Sequence, residues 1–224
     1  TNMSRICRVP GCQSHVRSHL ATMCERHRIR SRRHGHPQQQ TIGQHHIKPH
    51  ILQVERIIER NESGKIEAGL IELKAILERS AKEVLMDFYK KGRTVSRYWV
   101  KANSELLRVL QSSSPIQIGV ALAAVCLLER EQPHMFVSDR GFRFQMVRRF
   151  RALADMNTGS YYNHKTGRLH RVYKDTSPKA IEHMAEILIQ TYKTWLAHVI
   201  TKHEAESKRQ ERANDLIKEG LGGS

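Results

Sequence analysis

Three of the four cysteines fall within the first 24 residues, in a pattern that can hold a metal ion. The spacing is Cys7-x4-Cys12-x11-Cys24-x2-His27. In a reducing compartment, clustered thiols hold metal more often than they form disulfides, and an odd number of thiols cannot pair internally. The pattern therefore predicts a metal site made of three thiolates and one imidazole.

Zinc is the ion that this ligand set favours, in a tetrahedral and structural role. Pro10-Gly11 predicts a turn between the first two ligands, whereas Cys24 and His27 lie about one helical turn apart and can face the same ion. Apolar residues are few in this segment, so the metal would supply the free energy of folding. His27 has the best spacing for the fourth ligand, and the nearby alternatives are His15, His19 and His34.

Residues 7–37 resemble a zinc knuckle that occurs in many proteins of phages and mobile genetic elements. The resemblance rests on Cys7-x4-Cys12, on Met23-Cys24-x2-His27-x2-Arg30, and on Arg33-His34-Gly35 followed by Pro37. In those proteins the knuckle often precedes an HNH nuclease or another DNA-binding module. The resemblance implies contact with DNA, and the attached domain would set the activity.

A second stretch, His45-His46-Ile47-Lys48-Pro49-His50, is similar to the start of an HNH motif. That similarity implies His46 as the general base, His45 as a metal ligand and Asn61 in the middle position. The final histidine of the motif is missing, because the next histidine along the chain is His134. The residues after the pair also predict a helix where the motif has a strand. We therefore expect a polar linker here, with an HNH-type endonuclease as the alternative function.

The charge of the chain points to a polyanionic partner. A net charge of +16 opposes compaction, and nucleic acid is the usual partner of so basic a chain. Residues 1–48 carry nine Lys or Arg against one acid, and residues 140–175 carry nine against two. The predicted nucleic-acid contacts are Arg8, Arg26, Arg28, Arg30, Arg32, Arg33, Lys48, Arg143, Arg148, Arg149, Arg151, Lys165, Arg168 and Arg171.

Most of the remaining chain has helical periodicity. Ser114-Pro115 with Gln117 predicts the start of an apolar, buried helix, in which Cys126 is a core residue. Two tyrosine-bearing stretches flank a turn at Gly167 and predict a β-hairpin. A basic helix followed by such a hairpin is typical of a recognition helix with a wing, although the hairpin can equally be a surface connector.

The sequence thus predicts a mainly α fold: an N-terminal zinc knuckle plus a helical bundle with one β-hairpin, which one interpretation makes winged-helix-like. The predicted units are a zinc-binding basic module over 1–40, a His-rich linker and short helix over 41–63, a helical domain over 64–203 with its hairpin near 160–173, and a charged, frayed tail over 204–224.

The predicted function is non-catalytic. No apolar run reaches the roughly 20 residues of a membrane span, and residues 1–5 lack the apolar core of a secretory leader, which favours an intracellular, cytoplasmic protein. No glycine-rich phosphate loop and no carboxylate cluster for two magnesium ions occurs. We expect a zinc-containing protein that binds DNA or RNA. Its architecture also suits a subunit of a larger nucleoprotein complex, such as an RNA-guided effector, which would add protein partners.

Overall fold

The computed structural model describes residues 5–61, 63–91, 96–173 and 175–221. Over these ranges the chain forms seven α-helices and one antiparallel hairpin, which confirms the predicted mainly α fold. In chain order the elements are α1 (Glu25–His34), α2 (Gln44–Glu59), α3 (Lys65–Lys91), α4 (Arg97–Ser112), α5 (Pro115–Glu131), α6 (Asp139–Arg151), β1 (Asn157–Asn163), β2 (Arg168–Tyr173) and α7 (Pro178–Leu221).

Helix α5 lies at the centre of the bundle and begins as predicted. The Ser114 hydroxyl accepts a hydrogen bond from the Gln117 backbone N–H at 3.1 Å, and the Gln117 side chain accepts one from the Ser114 N–H at 2.9 Å. All residues from Ile118 to Leu128 are buried, including Cys126, and α5 packs against α2, α3, α6 and α7. The apolar character of α5 therefore serves the core.

No single helix in the described ranges is long and apolar enough to cross a membrane. The helices α4 and α5 reach that length and apolar composition only when they are counted together, and the chain bends by 119° between them.

Gly119 allows three helices to approach one another closely. A Cβ at this position would lie 2.7 Å from Leu70 Cδ2 on α3, which is too close for a side chain to fit without movement. The same Cβ would lie 3.2 Å from Trp195 Nε1 on α7, and the indole N–H of Trp195 donates to the Gly119 carbonyl at 3.0 Å. The glycine thus joins α3, α5 and α7 at one level of the bundle.

The segment predicted as a polar linker is helical instead. His45–His50 forms the first part of α2, with Pro49 inside the helix. Ile47 and Val54 are buried in the main core, and Ile51 packs against that core. The linker interpretation was wrong because these apolar residues continue a helical stripe through the histidines.

The predicted frayed tail is also helical, since α7 continues to Leu221. Ion pairs attach the start of this extension to the bundle. Arg60 at the end of α2 pairs with Glu206, and Arg130 on α5 pairs with Glu204 at 2.7 Å. His203 Nε2 lies 3.0 Å from the carboxylate of Glu131. These partners come from distant parts of the chain, so the local charge pattern did not predict them.

The predicted hairpin is present. β1 and β2 pair in an antiparallel register that ends at Asn163 and Arg168. Gly167 has φ 64°, in the left-handed region that favours glycine, and its N–H donates to the Asn163 carbonyl at 2.9 Å. The Asn163 side chain also accepts from the Lys165 N–H at 2.9 Å. In the chain, the hairpin follows α6 and precedes α7.

Candidate metal centre and basic surface

Four side chains meet at the N-terminus in the predicted combination. One ligand atom from each of Cys7, Cys12, Cys24 and His27 lies within 4.8 Å of all the others. The Cys7 and Cys24 sulfurs lie 3.4 Å and 3.3 Å from His27 Nδ1, and the Cys12 and Cys24 sulfurs lie 3.9 Å apart. The predicted ligand set is therefore assembled around one point.

These distances suit a tetrahedral ion. Metal–ligand bonds of roughly 2.3 Å to sulfur and 2.0 Å to nitrogen place two sulfurs about 3.8 Å apart, and a sulfur and a nitrogen about 3.5 Å apart. The separations found here fall within a few tenths of an ångström of those values. Among the residues described, no other group of three or more His, Cys, Asp or Glu side chains converges in this way.

The local backbone explains why the ligands meet. The Cys7 N–H donates to the Ser14 carbonyl at 2.9 Å, which folds the first loop back on itself. The Cys12 N–H donates to the Val9 carbonyl at 3.0 Å, and this turn uses Gly11 at φ 76°. Cys24 immediately precedes α1, and His27 follows in the first turn of that helix. One pair of ligands thus lies on a turned loop and the other at a helix start.

The Cys12 and Cys24 thiols are prepared for metal in different ways. The backbone N–H of Ser14, followed by its hydroxyl, lowers the pKa of the Cys12 thiol and favours the thiolate. The backbone N–H of His27 lowers the pKa of Cys24, but burial and hydrogen bonds with Cys12 and Cys7 outweigh it and raise that pKa overall. A metal ion would therefore displace the proton of Cys24 when it binds.

The alternative histidine ligands lie outside this group. His34 is buried at the other end of α1, where its Nδ1 lies 3.3 Å from Gln145 Nε2 and its Nε2 lies 3.4 Å from Thr41 Oγ1. Because the amide nitrogen only donates, Nδ1 of His34 accepts and the imidazole is neutral. Burial, followed by repulsion from Arg148, Arg30 and Arg33, lowers the pKa of His34 to about 4.

Further contacts attach the segment after α1 to the helical bundle. Arg140 Nη1 on α6 donates to the Gly35 carbonyl at 3.0 Å. The side chain of Gln39 is buried; it donates to the Met135 carbonyl at 2.9 Å and accepts from the Val137 N–H at 3.0 Å. Arg140 thus attaches the end of α1 to α6, and Gln39 attaches the following segment to the residues before α6. The module that carries the candidate metal ligands is therefore docked on the bundle.

Docking brings the two basic segments of the sequence together. Arg32 and Arg33 from α1 and Arg148 and Arg151 from α6 line one cleft of about 290 Å³. Asp175, Thr176 and Ile181, at the base of the hairpin and in the first turn of α7, complete the lining. We refer to these seven residues as the arginine cleft.

Two of the predicted nucleic-acid contacts hold the fold together. Arg149 donates to the Ile42 carbonyl at 2.8 Å and to the Gln44 side chain at 2.7 Å. The Arg151 guanidinium lies 2.8 Å from the buried carboxylate of Glu105. Sequence reasoning missed Glu105, because the pattern of α4 gives no sign that this residue faces the core.

The other predicted contacts are distributed more widely. Arg28 is exposed but paired with Glu25 at 2.6 Å, Arg30 is half-buried, and the side chain of Arg171 lies outside the described residues. The remaining predicted contacts are exposed, and they are Arg8, Arg26, Arg32, Arg33, Lys48, Arg143, Arg148, Lys165 and Arg168.

The geometry separates the residues of the HNH alternative. His45 and His46 lie in the first turn of α2, with their Nε2 atoms 3.1 Å apart. Asn61 lies beyond the other end of this 16-residue helix, which is about 24 Å long. Burial, followed by His45 and Arg149, lowers the pKa of His46. Asn61 therefore does not lie beside the pair, and the pair lies on a helix where the motif has a strand.

Comparisons of the chain with protein-family models, with curated proteins and with solved structures find no match.

Proposed function

We propose that this chain is a non-catalytic nucleic-acid-binding protein whose N-terminal module is held by zinc. One observation carries the proposal: arginines from two basic segments more than 100 residues apart line the same cleft. Self-repulsion opposes such a concentration of guanidinium groups, and a polyanion would offset it. The half-exposed Arg33 and Arg148 are the central members of this surface.

Zinc is the ion proposed for the four-ligand group. Three thiolates and one imidazole form a soft donor set, and tetrahedral coordination by sulfur and nitrogen is typical of structural zinc. All four places are taken by protein side chains, which leaves no open position for water or substrate. The ion would therefore hold the loop of residues 5–24 against α1 and take no part in a reaction.

Phosphate contacts would supply most of the affinity, because they release counterions from the nucleic acid. The hairpin would extend the surface as a wing. It carries the exposed Lys165 and Arg168, and the side chains of Tyr161 and Tyr162 are 55% and 52% exposed. Such tyrosines can stack on unpaired bases. Because residues 7–37 resemble a zinc knuckle of phages and mobile elements, we also propose that the chain comes from such an element. We further propose that it can act as a subunit of a larger nucleoprotein complex.

The first experiment asks whether the chain binds nucleic acid at all. Protein purified without chelator is titrated, at about 50 mM salt, into labelled duplex DNA, single-stranded DNA and single-stranded RNA, and fluorescence anisotropy is followed. We expect saturable binding to at least one of the three. A chain that raises the anisotropy of none of them would contradict the proposal.

A further inference from the structure

The floor of the arginine cleft is rigid. Glu105 is buried, and its two carboxylate oxygens accept hydrogen bonds from the Thr176 hydroxyl at 2.7 Å and 2.8 Å. The same carboxylate lies 2.8 Å from Arg151 Nε and 3.0 Å from Lys101 Nζ. One buried acid thus holds the Thr176 hydroxyl by hydrogen bonds and the Arg151 guanidinium by an ion pair below the opening.

The rim of the cleft is held much more loosely. Arg33 Nε lies 3.4 Å from the Asp175 carboxylate, and the two side chains are 55% and 42% exposed. A single contact of this length between exposed groups stabilises little, so another anion can displace it. Asp175 therefore occupies the place of an exchangeable anion beside Arg33.

Arg148 lines the same cleft, and its guanidinium is free to bind a ligand. In the described ranges this side chain makes no hydrogen bond or ion pair. Burial, followed by repulsion from Arg149, Arg151 and Arg33, lowers the pKa of Arg148, and only Asp175 acts in the opposite direction. This guanidinium has three cationic neighbours and only one exposed carboxylate nearby, so its surroundings favour the binding of an anion.

We propose that the arginine cleft binds one phosphate group of the nucleic acid, with Arg148 as the principal ligand and Arg33 as a second one that leaves Asp175 for the phosphate. The nucleic-acid source of that phosphate rests on the proposed function. The planar donor forks of arginine match the oxygens of a phosphate. Four guanidinium groups line the cleft against Asp175, with Glu105 buried beneath them.

Two pairs of variants test the cleft, each with a control of the same charge change outside it. Arg148→Gln is compared with Arg79→Gln, because Arg79 is exposed on α3 and is not among the predicted nucleic-acid contacts. Asp175→Asn is compared with Glu186→Gln, because Glu186 is an exposed acid of α7 that lines a different depression. The probes are one labelled single strand with a 5′-phosphate and the same strand with a 5′-hydroxyl.

The expected effects have opposite signs. Arg148→Gln weakens binding by about tenfold more than Arg79→Gln, because it removes a charge-assisted contact. Asp175→Asn tightens binding by about threefold more than Glu186→Gln, because it removes the competing carboxylate. If the cleft holds a terminal phosphate, the parent prefers the 5′-phosphorylated strand and Arg148→Gln loses this preference. If it holds an internal phosphate, both probes bind equally and respond equally to the variants.

The proposal is overturned if Arg148→Gln and Arg79→Gln weaken binding alike, or if Asp175→Asn behaves like Glu186→Gln. In that case the proposed function of nucleic-acid binding would still stand, and only the proposal that the cleft binds a phosphate would be wrong. If no nucleic acid binds, a separate titration tests whether the cleft binds phosphate. Inorganic phosphate is titrated against chloride at matched ionic strength while the arginine Nε–H signals are followed by NMR. The Arg148 signal must shift with phosphate and not with chloride, and an unmoved signal ends the proposal.

Discussion

Nδ1 of His34 lies 3.3 Å from Nε2 of Gln145, a residue 111 positions later in the chain. The contact joins α1, which begins at the candidate metal ligands, to α6, which carries Arg148. Since both partners are buried, the two helices cannot separate without leaving polar groups unsatisfied. This pair therefore links the predicted zinc module to the basic surface of the bundle.

Metal content is the first prediction. Protein purified without chelator is expected to carry about one zinc ion per chain, and Cys7→Ser or Cys24→Ser is expected to lose it, because three remaining ligands no longer close the tetrahedron. Elemental analysis measures the ion, and circular dichroism checks that the helices remain. Cys126→Ala is the control, since this cysteine is buried in α5 far from the ligand group. Zinc retained equally by all of these variants would contradict the site.

A second prediction concerns pH and follows from His34. The pKa of this imidazole is about 4 in the folded chain and about 6.5 when it is unfolded. The unfolded chain therefore takes up the proton first as the pH falls. The stability that the neutral imidazole contributes is complete above about pH 6.5 and is lost as the pH falls towards 4; it is on the order of 3 kcal/mol.

Urea unfolding at about pH 7 and pH 5.5 measures this effect. The parent is expected to lose about 1 kcal/mol from His34 between these values, and His34→Gln is expected to lose correspondingly less. The cysteine ligands are the same in both proteins, so their own protonation cancels in the comparison. Equal losses in the two proteins would show that His34 does not stay neutral in the fold.

The sequence predicted those features that local patterns encode. The capping pair Ser114 and Gln117, the turn glycine Gly167 and the convergence of the four candidate metal ligands each depend on residues close together in the chain, and all of them are present. The arginine cleft depends on contacts between residues that are far apart in the chain. No residue near Gln145 in the sequence indicates that its side chain contacts His34. Local sequence patterns therefore could not predict that α1 packs against α6.

A third prediction concerns the buried acid beneath the cleft. Glu105→Ala leaves Arg151 and the Thr176 hydroxyl without their partner, and the free energy of unfolding is expected to fall by about 3 kcal/mol. Glu83→Ala, at an exposed position of α3, is expected to change it by less than about 0.5 kcal/mol. Chemical denaturation of both variants measures the difference. Similar values for the two would mean that the carboxylate does not organise the floor.

The fourth prediction separates binding from cleavage. Duplex DNA, single-stranded DNA and RNA, incubated with the protein and Mg²⁺, Mn²⁺ or Ni²⁺, are expected to remain intact. Asn61, the asparagine of the HNH alternative, is not beside His45 and His46, because it lies beyond the far end of α2. The parent and His46→Ala should also bind alike. Metal-dependent cutting that disappears in His46→Ala would establish the HNH-type alternative instead.

The salt dependence of nucleic-acid binding tests the central claim most directly, namely that α1 and α6 present one phosphate-binding surface. The parent is compared with Arg32→Ala/Arg33→Ala/Arg148→Ala and with a control that removes the same charge from the exposed face of α3, Arg79→Ala/Lys82→Ala/Lys90→Ala. Every phosphate that the protein no longer neutralises lowers the slope of log affinity against log salt by about 0.7–0.9. We predict a slope lower by about 0.7–0.9 in the cleft variant, which loses the one phosphate of the cleft, and almost unchanged in the control. Equal slopes in all three proteins would contradict the claim.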